Sequence, residues 1–110
     1  MVHGDLRREK EIEIQTRAQS SLDAEDERLA GEVLFWIRLA HDQYNRGDRA
    51  GYDISRKKVR EIGEFLCSNG GSERMALIAY RVQALANMSG YSTRTRDVEL
   101  FWDGICGWQW

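Results

Sequence analysis

Residues 69–90 read Asn69-Gly70-Gly71-Ser72-Glu73-Arg74-Met75-Ala76-Leu77-Ile78-Ala79-Tyr80-Arg81-Val82-Gln83-Ala84-Leu85-Ala86-Asn87-Met88-Ser89-Gly90. The Asn-Gly-Gly run stops whatever precedes it, Ser72 can cap a new helix, and Ser89-Gly90 ends it. Between these marks the spacing predicts a helix over 73–88. Met75, Ile78, Ala79, Val82, Leu85 and Ala86 make one apolar face, and Leu77, Tyr80, Ala84 and Met88 make another. A helix that is apolar on nearly every side has to be surrounded by other elements. The rest of the chain is therefore expected to pack around it.

The flanking segments supply that packing. Leu29, Ala30, Val33, Trp36, Ile37, Ala40 and Tyr44 recur at three- and four-residue spacing and predict a long helix from about Asp23 to Tyr44. Ser20 and Asp23 have capping-box spacing, and Glu25, Asp26 and Glu27 put negative charge where the helix dipole favours it. Asn45-Arg46-Gly47-Asp48 then breaks the pattern, with a loop expected to about Asp53. A shorter helix over about 55–68 buries Val59, Ile62, Gly63 and Leu66. After Gly90, a last helix starting near Ser92 or Thr93 presents Val98, Phe101, Trp102 and Ile105 to the core. Gly104 and Gly107 end it ahead of Trp108 and Trp110.

Residues 1–20 are charged, with Leu6, Ile12 and Ile14 their large apolar side chains. They read as a mobile arm or as a helix that needs a partner. The expected architecture is all-α: a small irregular or orthogonal bundle of four helices over residues 21–110, preceded by an N-terminal arm.

Composition excludes several classes. At 110 residues, 42% of them hydrophobic and 31% charged, the chain can build one ordinary core and is not a disordered tail. Proline is absent, which suits a helical chain whose turns are made by glycine. No apolar run approaches a membrane span, and MVHGDLRREKEIEIQ lacks a signal-peptide core, so no membrane contact and a cytoplasmic location are expected. Cys67 and Cys106 have no metal-binding spacing. Two buried free thiols in a reducing compartment are the favoured reading, with a disulfide left open.

Catalytic material is sparse. His41 is the one histidine in a well-marked helix, Glu61 and Glu64 resemble many solvated carboxylate pairs, and neither a cofactor nor a metal is called for. Enzymatic function is the least supported class. Two surfaces are better leads. Phe35 and Leu39 lie about 100° or more from the centre of their helix's apolar face and form a second strip beside Arg28, Glu32 and Asp42. The arm, the tail or a second molecule has to cover such a strip, most simply a second copy about a two-fold axis. Trp108 and Trp110, in a tail where chains usually carry small polar residues, are interface candidates for the same reason.

The opposing lead is electrostatic. Residues 1–43 carry a net charge of −4 and residues 44–110 a net of +2. Arg56, Lys57, Lys58 and Arg60 are the densest basic group within the segment from residue 46 to residue 60. They suggest nucleic-acid association, although the 73–88 helix looks too apolar to read a groove and offers only Arg74, Arg81 and Gln83. The expected function is thus a non-enzymatic protein-interaction or self-associating helical module, a homodimer in its simplest form. A nucleic-acid-associated helical protein is the alternative.

Overall fold

The computed structural model describes residues 2–19, 22–91 and 95–107, with side chains from residue 9 onward except those of 95–97. The chain is an all-α small bundle. Its helices are α1 (Val2–Gln19), α2 (Ala24–Asn45), α3 (Arg49–Ser68), α4 (Gly71–Met88) and α5 (Thr95–Phe101), followed by a 3₁₀ turn (Ile105–Gly107). As the apolar pattern requires, α4 is central: it touches α1, α2, α3 and α5.

The two faces of α4 have different partners. Met75, Ile78, Ala79, Val82 and Ala86 enter the main core with Leu29, Val33, Ile37, Val59, Leu66, Val98 and Trp102. Leu77 joins a second cluster with Ile14 and Ala18 of α1, flanked by Tyr80. The segment read as an arm is therefore helical, and α4 of the same chain is the partner it lies against. Ile12 and Ile14 fall about 200° apart on a helix, so only one can face α4. Ile14 is buried, whereas Ile12 is 56% exposed.

Two arginines two turns apart on α4 fasten the acidic start of α2. Arg81 is buried. It pairs with Glu27 at 2.8 Å and donates to the Ala18 carbonyl at 3.1 Å, in the last turn of α1. Arg74 pairs with Asp26 at 2.8 Å and Glu25 at 2.7 Å, and donates to the carbonyl of Asn69, the C-cap of α3, at 2.6 Å. Each guanidinium thus satisfies a carbonyl orphaned at one helix end and a carboxylate at another helix start. The backbone N–H of Leu22 donates to Glu27 and, with Arg81 beside it, holds the Glu27 carboxyl below its ordinary pKa against the opposing effect of burial. Asp23 is the N-cap of α2 and accepts from the Asp26 N–H at 2.9 Å. Ser20 lies outside the described residues.

Three sequence readings need correction. Helix α3 begins at Arg49, not near Ser55. Asp48 is its N-cap and accepts from the Gly51 N–H at 3.0 Å, while Ser55 is fully buried and donates to Gln43 of α2 at 2.7 Å. Ser72 is not the cap of α4. That position belongs to Gly70, whose φ of 147° suits glycine alone. Cys67 and Cys106 are not free thiols but a disulfide, with Cα atoms 5.6 Å apart. The reversal at Gly104 (φ 86°) brings the 3₁₀ turn back to the end of α3, a proximity that a sequence separation of 39 concealed.

Trp102 seals that end. It is fully buried, and its indole Nε1–H donates to the Val59 carbonyl of α3 at 2.8 Å. The ring lies so close over Gly63 that a Cβ there would meet its Cδ1 and Nε1 at 2.6 Å. Arg60 completes the joint by donating to the carbonyls of Phe101 at 2.8 Å and Asp103 at 3.0 Å.

Two measurements follow from this packing. In denaturant unfolding, Ile14→Ala should cost about 2 kcal/mol and Ile12→Ala less than about 0.5 kcal/mol. Equal, small losses would mean that α1 is not docked on α4. Gly63→Ala should reverse the usual helix preference. Alanine normally gains about 1 kcal/mol over glycine inside a helix, but here a rigid ring has to move, and a net loss of about 1–2 kcal/mol is expected. A stabilised Gly63→Ala protein would show that the indole does not rest on α3.

Candidate interaction surface

Helix α2 has two apolar stripes because its sequence carries two sets at helical spacing. The first, Leu29, Ala30, Val33, Ile37 and Ala40, is buried in the core. Across the helix, Phe35 is 57% exposed and Leu39 is half-buried. The phenyl ring meets Trp36 edge-on at 5.0 Å, a contact on its own helix that leaves its outer face open. Helix α1 lies on α4 and leaves the strip exposed. Trp108 and Trp110, the other interface candidates, lie outside the described residues.

The strip borders a concave band. Gly31, Leu34, Phe35, Arg38, Leu39 and Asp42 line a shallow groove of about 460 Å³. Arg38 and Asp42 are shared with a second hollow of about 400 Å³ that reaches His41, Tyr44 and Tyr91. His41 and Tyr44 in turn border a cleft of about 250 Å³ closed by Tyr52, Arg56, Leu100 and Phe101. The hollows run one into the next along the C-terminal half of α2. They are walled by rings: Tyr44 and Tyr52 lie 5.7 Å apart, and Tyr52 and Phe101 6.3 Å apart. Tyr44 is 72% exposed.

Sequence reasoning missed this aromatic end because its parts are distant along the chain. His41 and Tyr91, 50 positions apart, share a hydrogen bond of 2.6 Å between the imidazole Nδ1 and the phenol oxygen. The Arg38 guanidinium lies 4.8 Å above the Tyr91 ring. The imidazole Nδ1 is thus bonded to a tyrosine side chain. Among the described residues, no group of three or more His, Cys, Asp or Glu is placed to hold a metal ion.

The basic group does not converge on one face. Successive helical residues turn by about 100°, so Arg56, Lys57 and Lys58 point in three directions. Arg56 borders the aromatic cleft, Lys58 is 3.9 Å from Glu61, and Arg60 is taken up by the Phe101 and Asp103 carbonyls. Arg74 and Arg81, two of the three candidate readers on α4, are committed to the start of α2.

The fold and this surface define a small all-α bundle with an apolar, partly aromatic face on its longest helix. No protein-family model, curated protein or solved structure matches the chain. No helix among the described residues is long and apolar enough to cross a membrane.

Because the core does not include Phe35 or Tyr44, changing either should leave the isolated fold intact. In dilute protein, Phe35→Ser and Tyr44→Ser should each change unfolding free energy by less than about 0.5 kcal/mol. A loss comparable with that of a core truncation would assign the residue to the fold instead.

Proposed function

We propose that this chain is a non-enzymatic protein-interaction module that associates with itself through the outer face of α2. The observation that carries this reading is the exposure of Phe35 beside a continuous concave band, on a helix whose inner face already completes the core. A large aromatic side chain at the edge of a groove has the area and low ordering cost of an interface anchor. The nucleic-acid alternative has less support: phosphate binding needs cations free to meet a backbone, and Arg60, Arg74 and Arg81 already serve the fold. The Cys67–Cys106 bond is of the kind that persists in oxidising surroundings. The reducing compartment expected for two free thiols therefore loses that support.

Sedimentation of the intact protein tests the reading. A dimer is expected, and replacing both Phe35 and Leu39 with Glu should yield a folded monomer, because closing the interface would bury uncompensated charge. A wild-type monomer at every accessible concentration would end self-association. An unchanged dimer in the double variant would move the interface to another surface.

A further inference from the structure

The groove beside Phe35 has the shape of a helix socket. Gly31, Leu34, Phe35 and Arg38 stand at positions i, i+3, i+4 and i+7, the four-residue hole into which a knob from a facing helix inserts. Gly31 opens this hole: a Cβ built there meets nothing within 4 Å. The next hole along the groove is formed by Phe35, Arg38, Leu39 and Asp42. An α-helix fits this surface, and the charges beside it indicate which helix and in which register.

At about 100° per residue, Arg28, Phe35, Asp42 and Arg46 fall within about 20° of one line along α2, flanked by Glu32 and Arg38. Consider a second α2 laid antiparallel about a two-fold axis. With Phe35 opposite Phe35, Arg28 of each copy is level with Asp42 of the other, both close to the facing line. A slip of one turn, with Phe35 opposite Leu39, instead brings Arg28 level with Arg46 and Glu32 level with Asp42. The first register sets opposite charges beside each other at both ends, and the second sets like charges together.

We infer that the occupant of the groove is α2 of a second copy of this chain, antiparallel, with the two-fold axis passing beside Phe35. The two Phe35 rings meet each other beside the axis, and two Arg28–Asp42 pairs flank it. This rests on the self-association proposed above and adds its geometry. Arg28 and Asp42 are both well exposed in the single chain, with side-chain accessibilities of 60% and 62%. Among the described residues, Arg28 pairs with Glu32 and Asp42 with Arg46, each an i,i+4 neighbour on the same helix. Substituting them should therefore spare the fold, which circular dichroism melting verifies.

Charge reversal decides the register. At low ionic strength, Arg28→Glu and Asp42→Arg should each weaken the dimer about tenfold, since two attractive pairs become repulsive. The Arg28→Glu/Asp42→Arg double variant should recover wild-type affinity to within about threefold, and added salt should shrink all the differences. Single variants that tighten the dimer would overturn this register in favour of the one pairing Phe35 with Leu39. A dimer insensitive to both reversals would overturn the antiparallel α2 contact while leaving self-association standing. A wild-type protein that never dimerises would end both readings.

Discussion

The guanidinium of Arg81 is the point on which the bundle depends. It is nearly excluded from water, so its charge has to be met inside the protein. Glu27 supplies the counter-charge from the first turn of α2, and the Ala18 carbonyl supplies an acceptor from the last turn of α1. One side chain on α4 thereby fixes where two other helices end and begin. An apolar contact could bury as much surface, but it would tolerate sliding, whereas a charged, directional bond does not. Two turns earlier, Arg74 repeats the device between the end of α3 and the start of α2.

This arrangement explains why α2 starts with three acidic residues. Negative charge near a helix N-terminus is favoured by the dipole alone, and the sequence is sufficient to expect that. What the sequence conceals is that the same carboxylates are the counter-ions of α4. The middle of the chain therefore looks more basic in composition than its surface is. Arg60 conceals itself in the same way: it sits within a run of cations, yet its hydrogen bonds go to the carbonyls that close α5.

Helical periodicity made α2, the centrality of α4 and the burial of Trp102 legible, because each rests on many apolar residues at regular spacing. The helix α1 was harder to read. Among the described side chains of α1, Ile14 and Ala18 are buried against α4, and a contact of that size leaves almost no periodic trace. The apolar second face of α4 was the better clue, since Leu77 and Tyr80 require a neighbour. The start of α3 was obscured by Asp48 and Gly51, residues typical of loops. Here one caps the helix and the other accommodates Gln43 and Asp48, whose side chains a Cβ at that position would strike. The disulfide and the His41–Tyr91 bond join residues that spacing alone cannot relate. Of the interaction surface, the Phe35–Leu39 strip was visible as a surplus of apolar residues. Its aromatic end was not, because α2, α3, α5 and the Tyr91 segment each contribute a part.

The outer face of α2 differs from an ordinary solvated face in how its charge is arranged. Arg28 bonds Glu32 at 2.9 Å, and Arg46 bonds Asp42 at 3.0 Å. Each end of the strip is thus locally neutral, with Phe35 and Leu39 between. Covering such a face removes little net charge from water, yet each paired ion still loses hydration, so a covering helix has to compensate with opposite charges of its own. Pairs this exposed contribute little to the stability of the single chain. Their order along the helix, positive then negative before Phe35 and negative then positive after Leu39, discriminates between ways of stacking one α2 against another. The core of this protein determines which face of α2 is hidden, and in the proposed dimer the charges on the remaining face would discriminate between registers.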